Sequence, residues 1–125
     1  MEKTKKQILV AEDDKFLRKV YQVKLAKEGF DVIIAKDGEE ALKMALQNKP
    51  YLILLDMVMP KMSGFDVLEA IRANKDTQKT KVIILSNLGQ DSDIQKGKEL
   101  GVLEYVVKSN TNLEDVISII RKHLK

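Results

Sequence analysis

The sequence predicts an α/β chain, a doubly wound (βα)5 sandwich in which a five-stranded parallel sheet carries helices on both faces. Three observations support this. Five short apolar runs alternate with longer amphipathic stretches along the 125 residues. Four of the runs are nearly continuous in Ile, Leu and Val, the pattern of strands covered on both faces rather than one. The intervening stretches carry helix start and stop signals, and right-handed crossovers then assemble strand–helix repeats into two helical layers around the sheet.

The first strand is expected over residues 7–12, where ILVA (8–11) runs into Glu12, Asp13 and Asp14. In the helix that follows, Leu17, Val20, Tyr21 and Leu25 recur at core spacing, leaving Phe16 and Val23 as an apolar pair toward the outside. Gly29 supplies a left-handed stop before strand two, DVIIA, at 31–36. Asp37 and Glu40 have the spacing of an N-cap and its reciprocal partner for helix two. Strand three, YLILL, spans 51–56 and ends on Asp56; Ser63 caps the helix FDVLEAI. Asn74 to Thr80 reads as a polar loop. Strand four, KVIIL, covers 81–86 and ends on Ser86, with Ser92 as the cap of the next helix and Gly101 as its stop. Strand five, LEYVV, covers 103–107 and ends at Lys108; Thr111 with Glu114 opens the last helix. No linker or low-complexity tract interrupts the series, so residues 1–125 are expected to form one domain.

Composition narrows the function. Hydrophobic residues make up 44% and charged residues 33%, and 22 basic against 19 acidic residues leave a net charge of only +3. A balance that weak and mixed gives no reason to expect direct nucleic-acid binding. The absence of cysteine excludes disulfides and thiolate metal sites. No apolar stretch approaches the roughly 18 residues of a membrane span, so no membrane association is expected and a cytoplasmic location is.

The strand ends carry the chemistry. In an open parallel sheet the carboxyl ends of the strands share one rim, where ligands bind. Here that rim collects Glu12, Asp13, Asp56, Ser86 and Lys108. Carboxylates gathered that closely repel one another unless a cation joins them. All-oxygen ligands without His or Cys favour Mg²⁺ over zinc. Mg²⁺, carboxylates and a lysine make up a phosphoryl-transfer site, and no glycine-rich phosphate loop is present to hold a nucleotide. The nucleophile is then a carboxylate, because aspartyl-phosphates are established covalent intermediates.

Glu12-Asp13, Asp56 followed by MVMP, Ser63-Gly64, Ser86, Tyr105 and Lys108 together resemble the receiver domain of two-component response regulators of the chemotaxis-regulator type. The resemblance covers essentially the whole chain and implies the flavodoxin-like strand order 2-1-3-4-5. It implies that Asp56 accepts a phosphoryl group from a phosphohistidine on a sensor histidine kinase or phosphotransfer protein. Asp13 and Asp56 would ligate Mg²⁺ directly, Val58 would do so through its backbone carbonyl, and Glu12 through water. Lys108 would contact the phosphoryl group. Ser86 and Tyr105 would be the switch pair, and helix four, strand five and helix five the face that binds a downstream protein or forms a phosphorylation-dependent homodimer. Phe16 and Val23 would offer the kinase an apolar patch. The single histidine, His123, is expected at the surface, so the phosphoryl donor belongs to another chain.

Two departures from the family pattern affect these expectations. Ser109 stands where the family has a cis proline after the lysine, which predicts a trans bond and a different placement of Lys108. Asn87 replaces a small residue beside Ser86. Apolar Val58 and Leu88, each two residues beyond its polar neighbour, predict slow attack by water on a phosphorylated Asp56. Three other readings of the chain compete with this one. A phosphorylation-independent interaction module is opposed by the complete acidic set. An aspartyl-phosphate phosphatase is opposed by valine at 58, where that class places its general acid. A flavodoxin-like cofactor binder lacks a phosphate loop after strand one. The opening methionine and the charged HLK end favour a single-domain protein over an excised domain.

Overall fold

The structure is a computed structural model and describes residues 5–123. Its elements follow one another as β1 (Gln7–Ala11), α1 (Lys15–Lys27), β2 (Asp31–Ala35), α2 (Gly38–Asn48), β3 (Leu52–Leu55), α3 (Gly64–Ala73), β4 (Lys81–Ser86), α4 (Asp91–Glu99), β5 (Glu104–Val107), a 3-10 turn (Lys108–Asn110) and α5 (Leu113–His123). All four strand pairings are parallel, and the order across the sheet is β2-β1-β3-β4-β5. The predicted fold class and strand order are therefore present, with strand ends within one residue of those expected.

Alternation along the strands divides the core in two. Ile8, Val10, Leu52, Leu54, Ile83 and Leu85 pack under α1 and α5, against Tyr21, Leu25 and Ile120. Leu9, Ile53, Leu55, Val82 and Ile84 face the other way, under Ala41 and Ala45 of α2 and Val67, Leu68 and Ile71 of α3. Burial on both faces is why these runs are apolar at every position. Each fully buried Leu or Ile contributes about 1.5–3 kcal/mol. α4 is the exception, because Gly97 is its one buried residue. A Cβ at Gly97 would come within 3.0 Å of the Tyr105 ring and 3.1 Å of Ile84, so this helix lies close over β4 and β5 with little side-chain anchorage.

Most of the helix punctuation is where the sequence puts it. Asp37 and Ser63 accept from the Glu40 and Asp66 amides at 2.8 and 3.1 Å, and Asp14, not among the expected caps, accepts from the Leu17 amide at 3.1 Å. Gly29 and Gly101 have φ of +96° and +73°. Four expectations need correction. Thr111 is not the cap of α5: the Asp115 amide donates to Asn112 Oδ1 at 2.9 Å, because the 3-10 turn after Lys108 uses up the intervening residues. Glu114 instead pairs with Lys24 of α1 at 3.1 Å. Ser92 lies inside α4, whose N-cap is Gln90, with Asp93 closing back onto the Gln90 amide. Glu40 reaches back to the Lys36 amide at 3.0 Å rather than to that of Asp37.

The stretch 74–80 is more than a solvated loop, for Thr77 is buried and donates to the Ile71 carbonyl at 2.8 Å. Arg72 ties this loop to the end of α4, its guanidinium donating to the carbonyls of Thr80 and Leu100, both at 2.7 Å. His123 is half-buried rather than at the surface, with Nε2 2.9 Å from Glu104 Oε2, because Glu104 at the start of β5 draws in both His123 and Lys122. Among the described residues no helix is long and apolar enough to cross a membrane.

Candidate functional site

At the carboxyl rim of the sheet the backbone ladder continues one residue past the strands. The Glu12 amide donates to the Ala35 carbonyl at 3.1 Å, and the Asp56 amide to the Ala11 carbonyl at 3.0 Å. Both side chains thus leave from the centre of the sheet and are walled in by neighbouring loops. Glu12 is 3% and Asp56 6% exposed. Asp13, one residue on, is exposed.

Each buried oxygen has a partner. Lys108 Nζ stands 2.6 Å from Glu12 Oε1 and 3.0 Å from Asp56 Oδ2, bridging the two carboxylates. The Asp14 amide donates to Glu12 Oε2 at 3.1 Å, and the Val58 amide to Asp56 Oδ1 at 3.1 Å. Arg18 Nη1, one turn into α1, donates to the Glu12 carbonyl at 2.9 Å and holds the acidic turn from behind. Lys108 therefore reaches the carboxylates even though the bond to Ser109 is trans: no peptide bond among the described residues is cis. With Ser109 after it, Lys108 opens a 3-10 turn that runs to Asn110.

The electrostatics are unbalanced. One oxygen from each of Glu12, Asp13 and Asp56 lies within 4.8 Å of the others. The Lys108 ammonium is paired with two of these three carboxylates, Glu12 and Asp56. Burial pushes the Glu12 carboxyl up to about 6 from its ordinary 4.5, against the opposing pull of its Lys108 and Asp14 hydrogen bonds, with Asp56's charge adding to the rise. Burial also works against the Lys108 ammonium, yet Glu12 and Asp56 outweigh it and hold its pKa above the ordinary lysine value. A divalent cation would remove the excess negative charge, and the donor set fits Mg²⁺. Oxygens around that ion stand about 3–4 Å apart, so one or two of these carboxylates would bind directly and another through water.

Ser86 and Tyr105 meet at one residue. Ser86 is fully buried at the end of β4, and its Oγ accepts from the Leu88 amide at 3.3 Å. The Tyr105 hydroxyl donates to the Leu88 carbonyl in a short hydrogen bond, with the ring against Gly97 and Ile84. Burial, with the charges of Asp93 and Asp56, pushes the Tyr105 phenol up to about 12, so it remains a donor. The family resemblance points to both side chains but not to Leu88, whose amide and carbonyl they contact. Asn87 is exposed on the same loop.

The remaining sequence candidates rim the site. Val58 is 57% and Phe16 75% exposed. Phe16, Leu17, Val20, Asn87, Lys108 and Ser109 are among the residues lining a largely apolar groove of about 390 Å³ beside the carboxylates. Val23 is exposed too, as expected of the Phe16–Val23 pair, and lies outside the lining of that groove.

Comparison with known proteins agrees with this geometry. The family model described as the response regulator receiver domain matches residues 8–121. The transcriptional regulatory protein CpxR of Escherichia coli strain K12 is 41% identical over 112 residues, which span 90% of this chain and 47% of CpxR. This chain covers less than half the length of the curated relatives it matches. Among solved structures, the chemotaxis response regulator CheY4 of Vibrio cholerae superimposes with a TM-score of 0.87 at 28% identity, covering 97% of this chain and all of that one. A CheY-like receiver domain protein from Methanospirillum hungatei JF-1 gives 0.89 at 26% identity, covering 97% and 94%. With its sheet order, its acidic rim and a match running nearly end to end, the chain belongs to the response regulator receiver domain family.

Proposed function

We propose that this receiver accepts a phosphoryl group on Asp56 from the phosphohistidine of a sensor histidine kinase or phosphotransfer protein, and that the modification re-sets its α4–β5–α5 face for protein–protein signalling. The observation that carries the reading is the Lys108 ammonium held between Asp56 and Glu12, whose carboxylates stand with that of Asp13 within 4.8 Å of one another.

In the transfer, an Asp56 carboxylate oxygen attacks phosphorus, the P–O bond forms as the P–N bond breaks, and the electron pair returns to the donor imidazole. The Val58 amide on Asp56 Oδ1 keeps the carboxylate oriented. Lys108 is placed to follow charge onto the incoming phosphoryl oxygens, a preorganised contact of the kind that lowers such barriers. Asp13, Asp56 and the Val58 carbonyl would hold Mg²⁺, with Glu12 contributing through water; when bound, that ion neutralises phosphoryl charge. The apolar groove from Phe16 to Ser109 is where the donor's surface would seat. Ser86 would turn its hydroxyl toward the phosphoryl oxygens, giving up the Leu88 amide. Tyr105, bonded to the carbonyl of the same residue, would carry that movement to α4. This output face serves a downstream protein, or a second phosphorylated copy.

The test is beryllium fluoride with Mg²⁺, or acetyl phosphate with Mg²⁺, monitored by amide chemical shifts. Shifts at Ser86, Leu88 and Tyr105 are expected in the wild type and none in Asp56→Asn. An unchanged wild-type spectrum would instead identify a phosphorylation-independent interaction module.

A further inference from the structure

The loop that leaves Asp56 is braced from a direction the reaction does not explain. Residues 57–63 connect β3 to α3, and Val58 beside Asp56 sits within them. At its far end, Gly64 is pressed against the strand, where an added Cβ would lie 2.2 Å from the Asp56 carbonyl; its amide donates to the Met57 carbonyl at 2.9 Å. The middle of the loop is held by another segment, the start of α2. The Gly38 amide donates to the Pro60 carbonyl at 3.2 Å. An added Cβ at Gly38 would fall 1.9 Å from the Met62 carbonyl oxygen and 2.6 Å from its carbon. Both neighbours are backbone, so no rotamer change makes room.

Conformation does not explain the glycine. Gly38 is not among the residues with positive φ. It opens a helix whose cap, Asp37, would serve an alanine equally well. Space alone requires glycine here. The contact around it is also specific: Lys61 takes the left-handed conformation at φ +70°, and its ammonium lies 3.7 Å from Oδ2 of Asp37. Asp37 Oδ1 is occupied by the Glu40 amide, so this side chain caps α2 and pairs with the loop at once.

We infer that Gly38 is a positioning residue of the phosphoacceptor site: the close approach of α2 to Pro60–Met62 sets the loop that presents the Val58 backbone to Asp56 and the metal position. This rests on the function proposed above. Gly38 touches neither the carboxylates nor a phosphoryl group and acts only through the loop. Supports one step removed from a metal are commonly worth tenfold or more in its affinity.

The experiment compares Mg²⁺ titrations of the wild type and Gly38→Ala, followed by amide shifts of the folded population, with beryllium fluoride uptake measured in parallel. Gly38→Ala is expected to bind Mg²⁺ about tenfold more weakly, with metal-free shift changes concentrated at 57–63 and Asp13 unmoved. A substitution that merely destabilised α2 would leave the Mg²⁺ Kd of folded molecules unchanged, and that result overturns the inference. If the wild type itself bound neither Mg²⁺ nor beryllium fluoride, the proposed function would fail instead. Should Gly38→Ala not fold, hydrogen exchange on the metal-free wild type decides. The Gly38 and Gly64 amides are expected to exchange as slowly as helix-interior amides, and exchange at open-loop rates would refute the clamp.

Discussion

Removing Lys108 is the most informative perturbation of the site, because its effect should depend on proton and metal concentration in a way a packing defect would not. Lys108→Ala leaves Glu12 and Asp56, 3% and 6% exposed, without their shared cation. Breaking a buried ion pair from one side costs about 3–5 kcal/mol. The Lys108 side chain is 15% exposed, so water partly fills the gap and the lower figure, about 3 kcal/mol, applies at pH 7.5 without metal. The pH dependence follows from Glu12. Its folded-state pKa of about 6 lies above the ordinary 4.5, so its ionisation opposes folding. The stability it contributes is complete below about 4.5 and lost as pH rises through about 6, a swing of about 2 kcal/mol in the metal-free wild type. Without the ammonium the same carboxyl titrates higher still, and the variant's deficit should shrink to about 1 kcal/mol at pH 5. Mg²⁺ at a hundred times its Kd adds about 2.7 kcal/mol to whichever protein binds it, so at a fixed concentration the deficit narrows only as far as the variant, freed of the ammonium, binds the ion more tightly. Urea unfolding followed by far-UV circular dichroism, at pH 5 and 7.5 with and without Mg²⁺, reads all four states. A deficit identical in every condition would mean that Lys108 acts through its methylenes and that charge crowding at the rim is not the organising force.

Asn112→Ala should cost about 1 kcal/mol by removing the α5 cap, whereas Thr111→Ala should stay within about 0.5 kcal/mol, both read by thermal unfolding; the reverse ranking would restore Thr111 as the cap. Glu104, whose carboxyl the His123 and Lys122 contacts hold below its ordinary value, contributes stability above that ordinary value that is lost as pH falls through the folded one. Glu104→Gln should therefore flatten the acid limb of the stability curve below about pH 4.5, with about 0.5–1 kcal/mol lost at neutral pH because the pair is partly exposed. An unchanged acid limb would refute this. Val58 and Leu88 leave no polar group two residues from Asp56 or Ser86 to orient water, so the phosphorylated chain should persist for minutes to hours. Loss of phosphoryl within seconds, measured by radiolabel or intact mass, would count against a water-excluding rim.

Much of this protein was legible in the chain itself. Strand and helix periods are local, and runs such as YLILL have one physical home, a strand buried on both faces. The polar residues that end those runs, Asp56, Ser86 and Lys108, fall on one rim because parallel strands all end at the same edge. Asp13 and Glu12 follow for the same reason. Caps are legible where one residue pair decides them, as at Asp37 and Ser63, and not at Thr111, where a 3-10 turn moves the start of the helix by a residue.

What the sequence determined, then, is the order of the elements and which chemical groups reach the rim, since both follow from local periodicity and the polarity of a parallel sheet. Tertiary structure alone decided that Lys108 bridges Glu12 and Asp56 without the family's proline, that Ser86 and Tyr105 both bond the backbone of Leu88, and that Gly38 lies against the Met62 carbonyl. Each of these is a distance between segments remote in the chain, set by how helices and loops settle on the sheet to within an ångström, and residue spacing carries no record of such distances.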